Sequence, residues 1–196
     1  MHKAIKPIVF TTALLPLAHI VWLVISNNLG PDPIQQLSIE TGERAFWFLI
    51  IALAMTPLRQ LTGRVEFIRV RRMVGLFALF YASIHFLAWM SLMLEFRWLA
   101  VAEEILERPY ITIGFAAYLI LLILGITSPM AMVRKLGRKW KPLHRLVYAA
   151  ALLALIHQLW IQRSDLRDVA LFGSLIALLL GYRLLRRIRA RNQFGR

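Results

Sequence analysis

Three histidines, His85, His144 and His157, stand in or at the mouth of long apolar segments of a 196-residue chain that has no cysteine. A polar, titratable imidazole is costly inside a bilayer and normally turns toward the protein interior and a partner. Neutral imidazole is also a common protein ligand of haem iron. The lack of cysteine removes disulfides, thiolate metal sites and covalently attached c-type haem. A metal cofactor would have to be held by His, Met, carboxylate or backbone oxygen.

The segments that carry these residues are built for a membrane. Hydrophobic residues make up 59% of the chain and gather in blocks of fifteen to twenty-two, the length that crosses a hydrocarbon core of about 30 Å. The pattern predicts an all-α, polytopic membrane bundle of six transmembrane helices at 8–25, 45–61, 73–94, 110–126, 143–161 and 169–185. The second is the weakest, because Thr56 and Pro57 interrupt it. It is expected to be short, tilted or capped by a snorkelling Arg59. The first is expected to stay as a helix: Pro16 lies within it and no small-x-small cleavage site closes it before Asn27 and Asn28.

Outer connectors at 27–44 and 95–109 each leave room for a short surface helix, and the inner connector 128–142 opens on a helix-stopping proline and turns strongly basic. No internal repeat stands out, and G-x-G-x-x-G, P-loop and G-x-S-x-G motifs are absent. Residues 1–196 therefore read as a single membrane domain.

Charge orients it. Assigning loops alternately places 19 of the 24 basic residues, from Lys3 and Lys6 to Arg196, on the side of the N-terminus. The other side keeps Arg44, Arg97, Arg108, Arg163 and Arg167, with every acid except Glu66. By the positive-inside rule both termini are cytoplasmic. The net charge of +14 thus reflects topology, and with no free-standing basic domain a nucleic-acid partner is excluded.

Depth pairs two of the histidines. His85 lies thirteen residues beyond Arg72 and His157 thirteen beyond His144, on helices that run in the same direction. Thirteen rises of 1.5 Å make about 20 Å, so His85 and His157 reach one level in the outer half. Two imidazoles from neighbouring helices at one depth, with apolar walls from 73–93 and 147–160, are what a bis-histidine b-type haem requires. At the inner level His144 faces no histidine; its counterparts are Arg71 and Arg72, which are poor iron ligands but suit haem propionates or an anionic flavin or quinone headgroup.

Rotation weighs against that inner site. The thirteen steps from His144 to His157 leave about 140° of mismatch on an ideal helix, so a tightened turn, a kink or a His144 outside the regular helix is required. A lone membrane histidine can also simply bond a neighbouring helix, and His144, beside Arg145, fits a boundary residue as well as a ligand. His19 is expected to pack, and Met90 and Met93 to fill core.

The strings GPDPIQQLSIETG (30–42), TPLRQ (56–60), IRVRRMVGL (68–76), YASIHFLAW (81–89), ERPYITIG (107–114), AMVRKLGRKWKPLHRLVY (131–148) and IHQLW (156–160) resemble the haem-binding membrane subunit of the bacterial methionine sulfoxide reductase system, the MsrQ family of the ferric-reductase-like transmembrane group. The resemblance spans nearly the whole chain. It implies a six-helix b-type cytochrome of the bacterial inner membrane, an electron-transfer subunit that does not itself reduce methionine sulfoxide. Electrons would come from the quinone pool or a cytosolic flavin reductase and pass to a periplasmic molybdenum-containing catalytic subunit that repairs oxidised proteins. It implies haem b, one or two copies, and FMN. The family's histidines fall on His85, His144 and His157, and its paired arginines on Arg71 and Arg72. The fourth histidine of the wider group, opposite His144, is missing.

Two other classes compete. A small transporter or a proton or metal conduit would use the buried histidines as a relay; against it, no carboxylate is expected at the centre of a span. A purely structural anchor would leave the depth-matched pair without purpose.

Overall fold

The computed structural model describes residues 5–162 and 166–194; Lys3, Arg163 and Arg196 of the charge pattern lie outside them. The described residues are helical throughout, with no strand. The helices are α1 (Ile5–Ile25), α2 (Pro33–Thr62), α3 (Glu66–Ala88, continued by a π turn Trp89–Met93), α4 (Trp98–Glu107), α5 (Pro109–Ile126), α6 (Met130–Leu136), α7 (Trp140–His144), α8 (Val147–Ile161) and α9 (Arg167–Phe194). Five of them are long and apolar enough to cross a membrane: α1, α2, α3 with its π turn, α5 and α9. A sixth span is counted if the segments Met130–His144 and Val147–Ile161, bent by 43° at their junction, are taken together.

The weakest predicted span is the longest helix. Asp32 caps α2 by accepting from the Gln35 amide, Pro33 occupies its first turn, and Gly63 ends it in the left-handed region at φ 73° with its N–H on Arg59 O. Residues 33–44, expected to lie in a connector, are thus the first turns of α2, and Glu40 and Glu43 belong to a membrane-length helix.

Pro57 does not end α2 because its missing hydrogen bond is replaced. Proline at 57 leaves the Leu53 carbonyl without its helical N–H, and Arg183 Nη2 of α9 donates to that carbonyl at 2.5 Å. In hydrocarbon, where an unsatisfied backbone group costs several kcal/mol, such a replacement is what lets a proline sit inside a spanning helix. In α1 Tyr81 acts on the bond next to the proline rather than on the one Pro16 removes. Its buried hydroxyl donates to Ala13 O at 2.7 Å and accepts from the Leu17 amide at 3.0 Å, bridging the helix beside Pro16.

Packing is by antiparallel pairs. The most extensive is α2 with α3, followed by α5 with α8. The shared core gathers Phe46, Leu49, Leu53, Leu121, Phe172 and Ile176 around Ala78, Ala150 and Ala151, each 0% exposed. Small residues of this kind let helix backbones approach where lipid offers no hydrophobic drive. α1 is peripheral, and His19 on it is exposed rather than packed.

The pairs fix the ends of the bundle. Ile5, Met55 and Val70 share one cluster, and Arg183 reaches Leu53, so α1 begins and α9 finishes at the same, basic end. At the opposite end the π turn of α3 runs into Glu95 and Phe96, both left-handed at φ 49° and 55°, which turn the chain back into α4.

Candidate functional site

His85 of α3 and His157 of α8 meet in the interior, their ring centroids 6.4 Å apart and their planes at 77°. Each ring is fixed from behind by a backbone carbonyl. His85 Nδ1 lies 2.9 Å from Ser38 O of α2, and His157 Nδ1 lies 2.6 Å from Tyr110 O of α5. A carbonyl only accepts, so both Nδ1 atoms carry the proton and both Nε2 atoms keep a free lone pair. This is the arrangement in which a second-shell acceptor sets the tautomer and raises the basicity of a ligating imidazole.

Glycines make the room. A Cβ at Gly42 would come within 3.1 Å of the His85 ring, and one at Gly114 within 2.6 Å of His157 Nδ1. Each glycine follows its carbonyl by four residues, and the two halves of the site are spelled alike: Ile39-x-x-Gly42 with Ile84-His85-x-Leu87, and Ile111-x-x-Gly114 with Ile156-His157-x-Leu159. Nothing in glycine's own chemistry marked Gly42 and Gly114 as site residues.

The rings line a cavity of about 930 Å³ together with Phe46, Leu49, Phe86, Trp89, Phe115 and Ala154. Its walls come from α2 and α5 as much as from α3 and α8. Glu43, Arg108, Gln158 and Gln162 add polar groups, and the first two turns of α2 form part of its rim.

Two imidazoles that bind one first-row metal from opposite sides, at about 2 Å per bond and with roughly 1 Å from nitrogen to ring centre, hold their centroids about 6 Å apart. The observed spacing agrees. Among the described residues no group of three or more His, Asp or Glu could hold a bare ion. A two-imidazole site in an apolar slot suits a metal that brings its remaining ligands with it, as a porphyrin does.

His144 stands elsewhere, at the basic end. It closes α7, outside the regular turns of α8, so the break at Arg145 and Leu146 supplies the kink that the rotational mismatch required. Thr127 gives its one hydroxyl proton to Ile123 O at 2.7 Å, so at 3.1 Å it accepts from His144 Nε2. The His144 ring also stacks on Trp140, with centroids 4.0 Å apart, and Trp140 Nε1 donates to Thr127 O.

Arg71 and Arg72 lie within electrostatic reach of that ring but are tied to hydroxyls, Arg71 Nη1 to Thr56 at 3.0 Å and Arg72 Nε to Ser128 at 3.1 Å. Arg183 joins them, donating from Nη1 to the Tyr148 hydroxyl at 2.7 Å. Sequence reasoning counted Arg183 only as a topological charge. The proline four residues after Leu53 was the available signal that a buried donor was needed.

Residues 41–155 match the family described as "Ferric reductase like transmembrane component". Over 98% of its length the chain is 46% identical to the "Protein-methionine-sulfoxide reductase heme-binding subunit MsrQ" of Xanthomonas euvesicatoria pv. vesicatoria (strain 85-10), covering 91% of that protein. The counterpart from Bordetella pertussis (strain Tohama I) is 44% identical over 91% of this chain and 88% of its own length. No solved structure matches. With similarity running nearly end to end, the chain belongs to the MsrQ family of protein-methionine-sulfoxide reductase haem-binding subunits, within the ferric-reductase-like transmembrane group.

Proposed function

We propose that this chain is a b-type cytochrome subunit of the bacterial inner membrane, a single domain whose His85 and His157 would hold one haem. The observation that carries the reading is the pair of imidazoles, with centroids 6.4 Å apart and both Nε2 lone pairs free. When bound there, haem supplies one-electron redox chemistry.

The chain's own residues do the rest. Ser38 and Tyr110 carbonyls hold the tautomer, Gly42 and Gly114 set how closely α2 and α5 approach the rings, and Phe46, Phe86 and Phe115 help to keep water from the cavity. The positive-inside rule puts the basic end, with both termini, in the cytoplasm and the His85–His157 level toward the periplasm.

Electrons then enter at the basic end, from the quinone pool or a cytosolic flavin reductase, and leave to a periplasmic molybdenum-containing catalytic subunit that reduces methionine sulfoxide in oxidised proteins. Arg71, Arg72 and His144 suit the anionic headgroup of a donor or of FMN. His144, with Nε2 already donating to Thr127, gives less support to a second haem.

A proton or metal conduit is the competing reading, and Glu43 beside the paired histidines is the feature it would use. One measurement separates them. Purified protein from haem-replete cells should show a Soret band that shifts and sharpens on dithionite reduction, and H85A or H157A should remove it. Colourless protein, or variants with unchanged spectra, would overturn the assignment.

A further inference from the structure

Gln158 of α8 and Gln162, which caps its C-terminus one turn on, both line the cavity that holds the histidine pair. Their Oε1 atoms are fully buried and have no hydrogen-bond partner among the described residues. A buried carboxamide left unpaired is destabilising, and native proteins rarely keep two in one cavity without a use for them. Gln158 adjoins His157; Gln162 lies about 7.5 Å beyond His157 along the helix, at the end where Asp32 and Gln35 of α2 and Arg108 also line the cavity. Arg108, an exposed residue, spends Nε on Glu104 at 2.8 Å and Nη1 on the Tyr110 hydroxyl at 3.1 Å and keeps only Nη2 without a partner.

The guest this cavity is shaped for has an apolar plate and two carboxylates, and its walls offer few free donors to meet them. We propose that Gln158 and Gln162 are the polar anchors of the haem propionates, each presenting its Nε2–H to a carboxylate oxygen. Oε1 of each carboxamide is the sealed atom, and Nε2, which has no hydrogen bond among the described residues, is the end left open to the cavity. The inference rests on the reading of His85 and His157 as haem ligands. It adds what fixes the orientation of the plate between them.

Apoprotein of the full chain, purified in detergent from haem-deficient cells, is titrated with haem b and separately with haem b dimethyl ester, which keeps the iron and the plate but loses both carboxylate charges. A hydrogen bond to a charged group corresponds to roughly tenfold or more in affinity. The unaltered chain should therefore prefer the free acid by at least about that factor. The Q158L/Q162L double variant should bind the ester as the unaltered chain does, which shows that it is folded, and should prefer the free acid by less than about threefold. Q162E, which sets a like charge against the carboxylates, should turn the preference toward the ester.

An undiminished preference for the free acid in Q158L/Q162L, or an unaltered chain that binds both porphyrins equally, would overturn the proposal alone. If neither porphyrin gives a low-spin, bis-imidazole spectrum in the unaltered chain, the reading of the histidine pair falls and the proposal with it.

Discussion

At one level of the bundle His85 and His157 each donate from Nδ1 to a carbonyl, each sits against a glycine, and each keeps Nε2 free, with the ring centroids 6.4 Å apart. Toward the basic end His144 does the reverse: it donates from Nε2 to Thr127, lies flat on Trp140, and has within electrostatic reach the guanidinium groups of Arg71 and Arg72, tied to Thr56 and Ser128. Residue type is the same at all three positions, and depth in an apolar segment is not what separates them. The difference is which ring nitrogen the second shell consumes. A ligand site is built where backbone acceptors take Nδ1, because this leaves the nitrogen farther from the main chain open to a guest.

The comparison is broken most directly at Gly114. An added methyl would stand 2.6 Å from His157 Nδ1, so G114A should displace the ring, release the Tyr110 bond and lower haem retention by tenfold or more. Pigment per protein after purification measures it, and near-normal loading would mean that the carbonyl clamp is unnecessary. G42A, where the clearance at His85 is 3.1 Å, should act in the same direction by only a few fold.

At the basic end R183M should leave the spectrum of the paired-histidine haem in place while lowering stability by about 1–3 kcal/mol, through the orphaned Leu53 carbonyl. P57A restores an N–H to that carbonyl. In its background R183M should cost about 1 kcal/mol less, as read from thermal loss of helical circular dichroism in detergent; additive losses would mean that Arg183 acts elsewhere. The smallest effect is expected for T127V, which frees His144 Nε2 and should change the pair-level spectrum by less than the error of the measurement. A new low-spin signal in T127V would show that the inner ring was held back from ligation only by that hydroxyl.

Much of this was legible along the chain. The span 110–126 lies within a residue of both ends of α5, and the end of 73–94 within a residue of the π turn that finishes α3, because long apolar runs flanked by Pro109 and Glu95 leave little freedom; the start of α3 at Glu66 lies seven residues before the predicted 73, in the basic run that hydropathy assigned to a loop. The start of α2 was not legible. Gln35, Glu40, Glu43 and Arg44 make residues 33–44 look like a loop, yet the Asp32 cap, the Glu40–Arg44 ion pair and packing against α3 continue the helix. Likewise two of the strings that carry the family resemblance end on Gly42 and Gly114, but nothing in them said that a histidine would lie against each glycine.

By itself the sequence determined the membrane environment, the charge asymmetry of the two ends and the common depth of His85 and His157, since all three follow from hydropathy, loop charge and a fixed rise per residue. Only the tertiary structure decided that the two rings meet with centroids 6.4 Å apart, that Ser38 and Tyr110 fix their tautomers, that Gln158 and Gln162 are left with unpaired Oε1 atoms, and that Arg183 replaces the hydrogen bond Pro57 removes. Those are contacts between helices far apart in the chain, and one helix's periodicity carries no information about the rotation of its neighbour.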